Sequence, residues 1–168
     1  MLKDVLEILA TTPQKLKLEI SSLTRPEMHE RPTAKKWSVQ EVLAHLADVE
    51  ELGMRVRVAA IIELDNPTLS NFDQEARVTE LKYSSIDPQR SLASLTRQRR
   101  ANVKWLRMLR PAQLKRQAAH QTAGKISAEE LITEWAFHDL GHLKQILEIK
   151  RYALYPRIGN LRTFYELW

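Results

Sequence analysis

Cysteine is absent from the 168 residues, which excludes disulfides, thiolate metal ligands and a cysteine nucleophile; any metal must be held by histidine, carboxylate or water. Glycine is scarce, with four residues, and β-branched residues rarely alternate with polar ones. The long stretches are instead rich in Leu, Ala, Glu, Lys, Arg and Gln, all good helix formers, so the fold class expected is all-α. No apolar run approaches the roughly 18 residues of a membrane span. The N-terminal MLKDVLEILATTPQKLKLEI is charged throughout and lacks the apolar centre of a signal peptide. A cytoplasmic protein with no membrane partner is expected. With 43% hydrophobic residues, one substantial core can form, and a single domain over residues 1–168 is expected. The net charge of +5 favours anionic partners without naming one.

Helix boundaries can be read from caps and periodicity. Residues 2 to about 22 carry leucines, valine and isoleucine at helical spacing, interrupted by Thr11-Thr12-Pro13, where the proline should restart or kink the helix. Thr24 to Glu27 suggests a short capped turn of helix. Ser38 and Glu41 form a capping box ahead of a helix over residues 37–62. Its inner stripe reads Val42, His45, Val49, Leu52 and Val56, with Asp48, Glu50, Glu51, Arg55 and Arg57 mostly elsewhere. Residues 65–86 read as a long connection holding at most one short helix. Asp87 and Pro88 open a third helix reaching about Leu109 and stopped by Pro111, with Leu92, Leu95, Val103, Leu106 and Leu109 on its apolar side. After a polar connection with His120 and Gly124, Ser127 and Glu130 cap a fourth helix to about Tyr152. Its inner stripe is Leu131, Trp135, His138, His142, Gln145, Ile146 and Ile149. The aromatic C-terminal stretch ending Phe164-Tyr165-Glu166-Leu167-Trp168 should pack on the bundle. Four long helices joined by one long crossover describe a four-helix bundle.

Three histidines fall on inner stripes. His138 and His142, four residues apart, share one face of a helix and can reach one cation; His45 lies on the buried stripe of another. Burying three imidazoles without a partner is costly, and one shared divalent ion accounts for all three while leaving coordination positions open. Spacing alone leaves a second reading, in which each histidine bonds a carbonyl or pairs with Asp48 or Asp139. Asp139, Glu41, Asp48 and Gln145 are candidates for acceptors that orient the imidazoles. Asp48 and His120 are candidates for moving a proton. His29 and His120 are placed in loops, His120 near the mouth of the site. Trp37 reads as a packing staple and Trp135 as core, while Gly53 and Gly141 would permit close helix approach.

Two passages, KWSVQEVLAHLADVE around His45 and WAFHDLGHLKQI around His138 and His142, resemble the DinB-like superfamily of metal-binding four-helix bundles, also called YfiT-like. The likeness extends from Thr12-Pro13 to the end of the fourth helix. It implies a metal site formed by His45, His138 and His142, holding zinc or nickel with water in the remaining positions. Relatives include thiol-dependent transferases, so the resemblance also implies activation of a low-molecular-weight thiol co-substrate and a homodimer.

The resulting expectation is a metal-dependent transferase or hydrolase in which thiol or water attacks a small electrophilic substrate. A non-catalytic metal-binding or stress-response bundle is the rival from another class. Nucleic-acid binding is a third reading: from Arg97 to Arg116, eight basic residues meet no acidic one, and Arg97, Arg100, Lys104 and Arg107 share a helix face. No recognised nucleic-acid motif accompanies them, so a solvated face is preferred.

Overall fold

The computed structural model describes residues 2–167. In chain order it contains helices α1 (Leu2–Ile20), α2 (Arg25–His29) and α3 (Val39–Asp48), a π-helical segment (Val49–Arg55) and α4 (Val56–Glu63). Strand β1 (Thr68–Leu69), α5 (Gln74–Glu80) and a 3-10 turn (Tyr83–Ser85) form the crossover. Then come α6 (Pro88–Leu106), α7 (Pro111–Leu114), β2 (Gln117–His120), β3 (Gly124–Ser127), α8 (Ala128–Leu154) and a 3-10 tail (Tyr155–Phe164). Helix α1 packs on α6 and α8, and α3 packs on α6, so α1, α3 with α4, α6 and α8 make the four-helix bundle. No described helix is long and apolar enough to cross a membrane.

The caps form where the sequence places them. Ser38 Oγ accepts from the Glu41 N–H while Glu41 returns a bond to the Ser38 N–H at 2.9 Å, and Ser127 and Glu130 repeat the arrangement. Asp87 caps α6 with Pro88 in its first turn. That helix ends at Leu106 rather than Leu109, and Pro111 starts α7 instead of acting only as a stop, as proline's fixed φ favours at a first helical position. Pro13 lies inside an unbroken α1.

The stripe expected along residues 42–56 holds only to Val49. Leu52 and Val56 are 48% and 47% exposed, while Glu50, Gly53, Met54 and Val58 are buried. The cause is the π segment, whose wider i→i+5 turn takes an extra residue and rotates everything beyond it relative to α-helical spacing. Glu50, four residues after buried Leu46 and seven after buried Leu43, lies on the inward face and enters the core.

There it meets Arg99, one of the eight basic residues from Arg97 to Arg116. Arg99 is 2% exposed. Its guanidinium donates to Glu50 (2.7–3.0 Å), to Asp139 (2.5 and 3.0 Å) and to the Leu9 carbonyl (2.8 Å). Asn102 and the Trp135 indole N–H complete the shell of Glu50. This one network joins α1, the π segment, α6 and α8. It also divides the core: Leu9, Val58, Ile61, Leu106 and Ile132 belong to one apolar cluster, and Leu16, Val42, Leu43, Leu95 and Ile146 to the other.

A three-stranded sheet, ordered β1-β2-β3, was not foreseen in an all-α reading. β1 pairs parallel with β2 (Leu69 opposite His120), and β2 pairs antiparallel with β3 (Ala118 opposite Ile126). Arg116, just before β2, donates to the Ile61 and Leu64 carbonyls and so closes the C-terminal end of α4. The tail does not bury its aromatics: Phe164 is 75% and Tyr165 56% exposed, beyond a turn at Gly159 whose φ of +57° breaks the helical path. Trp168 lies outside the described residues.

Candidate metal centre

His45, on α3 one turn before the π segment, faces His138 and His142 on α8. The His138 Nε2 lies 3.2 Å from His45 Nε2 and 3.2 Å from His142 Nε2. Ligand atoms of all three lie within 4.8 Å of one another, and among the described residues this is the group that could hold a metal ion. Tertiary packing holds the rings. The Trp37 ring stacks parallel to His142 at 6.3 Å and leans on His45 at 5.0 Å, and Phe72 and Tyr83 stand 6.5 and 6.2 Å from His45. His142 and Gln145, one turn apart, share a hydrogen bond from Nδ1 to Oε1 at 2.8 Å.

Burial governs the electrostatics of the group. It drives the His45 pKa down to about 2, helped by the charges of His142 and His138. His138 falls to about 3 by burial, then by His142 and by Arg99 behind it. His142 is lowered by burial, partly offset by the Gln145 bond and the Asp139 charge. All three imidazoles are therefore neutral at physiological pH, the form that donates a nitrogen lone pair to a metal.

The proton inventory shows that a cation fits. The Nδ1 proton of His142 points at Gln145, so its Nε2 carries a lone pair. The remaining two Nε2 atoms then have two close contacts to satisfy and cannot do so with one linear hydrogen bond each. The buried Nδ1 of His45 also lacks a hydrogen-bond partner. A single ion among the three Nε2 atoms turns these contacts into coordination. Zinc–nitrogen bonds of about 2.0–2.1 Å place tetrahedral ligands roughly 3.3–3.4 Å apart, close to the observed 3.2 Å. Beside His142 and Gln145 opens a cavity of about 470 Å³ walled by Trp37, Val78, Lys35 and Lys36, within the size range of small-molecule sites.

Of the four carboxylate and amide candidates for orienting the imidazoles, the structure brings only Gln145 to a histidine. Asp48 is engaged by Arg77 at 2.5 and 2.9 Å and by the Tyr83 hydroxyl at 2.7 Å. Asp139 binds Arg99, and Glu41 binds Arg31 and the Ser38 cap. Each carboxylate thus went to a stronger, charge-assisted donor. His120 ends β2 rather than lying in a loop, and its Nδ1 accepts from the Thr122 and Ala123 N–H groups. It is outside the histidine cluster. His29 is exposed at the end of α2. Gly53 is closely surrounded: a Cβ there would lie 3.0 Å from Val49 Cγ1, which would have to shift by a few tenths of an ångström, and 3.5 Å from Phe72. Gly141 has open space around it and brings no helix closer. Sequence reasoning gave Trp37 only a packing role and missed its contact with two of the histidines; its place eight residues before His45, across a cap, was the available signal.

A four-helix bundle carrying three inward histidines that can hold a divalent ion defines the class of protein. The chain belongs to the DinB superfamily, whose model matches residues 8–146. It is 28% identical to YfiT of Bacillus subtilis (strain 168), named as a candidate metal-dependent hydrolase, over 87% of this chain and 82% of that protein. A similarly named protein of Oceanobacillus iheyensis, OB0782, is 26% identical over 82% of this chain and 78% of its own length. The solved structure of Bacillus subtilis YfiT, described as having an unusual four-helix bundle topology, superposes with a TM-score of 0.81 at 25% identity, covering 89% of this chain and 85% of that one.

Proposed function

We propose that this protein is a metal-dependent enzyme of the hydrolase type, with His45, His138 and His142 holding one divalent ion, zinc or nickel. The convergence of three neutral imidazoles, with His138 Nε2 lying 3.2 Å from the Nε2 of both His45 and His142, carries the reading. The chemistry such an ion supplies is that of a Lewis acid, lowering the pKa of water or a thiol so that a nucleophile forms near neutral pH. The surrounding residues prepare the site. Gln145 fixes the His142 tautomer through Nδ1, and Trp37 and Tyr83 shield the rings from solvent. A small electrophilic substrate would occupy the cavity between Trp37 and α5.

Water is the nucleophile favoured by the names of the relatives. A low-molecular-weight thiol in its place would make the protein a transferase, and a cytoplasmic homodimer belongs to the same proposal. Elemental analysis of untagged protein is the first test. About one zinc or nickel per chain, lost in His142→Ala, supports the site; no metal after reconstitution overturns it. Turnover of activated esters and amides with and without added thiol then separates the nucleophiles, because only a transferase consumes thiol stoichiometrically.

A further inference from the structure

The outer face between α1 and α6 carries a groove formed by two adjoining recesses. The first, about 560 Å³, has Ala10, Pro13 and Val103 in its lining and Lys17, Arg100, Lys104 and Arg107 around it, with no carboxylate among its lining residues. The second, about 650 Å³, shares Ala10 and Arg107 with the first and is lined by Leu2, Leu6, Leu106 and Leu109. Its remaining charges, Lys3 and Glu7, are four residues apart on one helix and oppose each other. Among the described residues, no carboxylate lies within 4 Å of Lys17, Arg100, Lys104 or Arg107. The groove shares no lining residue with the cavity beside His142.

We propose that this groove binds a single-chain amphiphile with an anionic carboxylate or phosphate head. The head would sit among Lys17, Arg100, Lys104 and Arg107, and the hydrocarbon tail would run over Ala10 to the leucines of the second recess. The distribution of polarity selects this occupant. Apolar lining runs through both recesses while the unbalanced positive charge is concentrated around the first, as a molecule with an anionic head and a hydrocarbon tail requires. An acidic amphipathic helix would instead need cations along its whole length, flanking a continuous apolar strip. Nucleic acid is disfavoured because the floor is aliphatic and offers no aromatic side chain on which a base could stack. A second copy of the chain would bring the same cations face to face around a two-fold axis.

The probe is dodecyl phosphate below its micellar concentration, titrated calorimetrically into the full chain. Binding at least ten-fold tighter than that of inorganic phosphate and of dodecyltrimethylammonium is expected, showing that head and tail both contribute. Arg100→Glu combined with Lys104→Glu changes exposed side chains and should weaken dodecyl phosphate at least ten-fold. Ala10→Trp obstructs the junction of the two recesses, keeps every cation, and should reduce the ligand to the level of inorganic phosphate. Circular dichroism verifies that each variant is folded. Equal affinity for inorganic and dodecyl phosphate, unchanged binding by both variants, or no binding overturns the proposal. So does sedimentation with phosphatidylglycerol vesicles without binding of the monomeric probe, which assigns the cations to a membrane surface, or tighter binding of duplex DNA than of the amphiphile.

Discussion

Arg99 donates to the Leu9 carbonyl at 2.8 Å, and Leu9 is the residue whose carbonyl Pro13, four positions on, cannot bond because proline has no N–H. The proline in the middle of α1 therefore leaves an acceptor facing the core, and the guanidinium of α6 takes it. The same guanidinium is the counterion of Glu50 and Asp139, both essentially inaccessible to solvent.

Removing it while the carboxylates stay leaves two buried charges without a partner. Arg99→Met is expected to cost about 3–5 kcal/mol of folding stability, the range for breaking a buried ion pair from one side. Urea denaturation measures it; a loss below about 1 kcal/mol would mean that water enters and solvates the two acids. Joint replacement of Arg99, Glu50 and Asp139 by apolar residues should be much milder, since no charge is then stranded.

Helix α5 has no buried residue, yet it forms one wall of the cavity beside His142. The Arg77 fork on Asp48, with Asp48 also accepting from the buried Tyr83, attaches it to the bundle. Arg77→Ala should raise amide hydrogen exchange across residues 74–80 several-fold while shifting global stability by no more than about 1 kcal/mol, because the element adds little apolar burial. Unchanged exchange there would show that other contacts hold the helix.

Glu41 supplies a pH dependence. Burial alone would raise its pKa, but the bond from Arg31, the two Ser38 bonds and the Arg31 charge outweigh it, so the folded value lies below the ordinary 4.5. The unfolded chain thus binds the proton more readily than the folded one. The contribution is complete above about pH 4.5 and is lost as pH falls through the lower folded value. Glu41→Gln should lower stability at pH 7 and narrow the gap to wild type as the pH approaches 3; a gap independent of pH would show that the carboxylate charge contributes nothing.

The caps, the four long helices and the histidine triad were legible because each rests on local spacing: Ser38 with Glu41, Ser127 with Glu130, His138 with His142. Glu50 and Arg99 were not. Each lies on an inward face, Glu50 four residues after buried Leu46 and Arg99 four after buried Leu95, but a charge reads as solvated until its partner on another helix is known. The strand pairing of Thr68–Leu69 with Ala119–His120 is equally hidden, since segments this short carry no alternation and gain their order from partners fifty residues away. Asp48, Glu41 and Asp139 looked suited to orienting histidines by proximity in sequence, but arginines from distant segments took them. Gln145, an amide with no charge to attract an arginine, remained for His142.

That bond yields a test of the metal reading separate from loss of a ligand. If Nε2 of His142 binds the ion, its Nδ1–H must be held elsewhere, and Gln145 Oε1 holds it at 2.8 Å. Gln145→Ala removes the acceptor and leaves all three imidazoles in place. Such orienting partners typically contribute ten- to a hundred-fold in metal affinity, so zinc affinity measured by chelator competition should fall by about that factor. The side chain is only half-buried, so the metal-free protein should unfold within about 0.5 kcal/mol of wild type. An unchanged affinity would show that His142 keeps its tautomer without Gln145. A large loss of metal-free stability would show that the amide's main role is in the packing of α8.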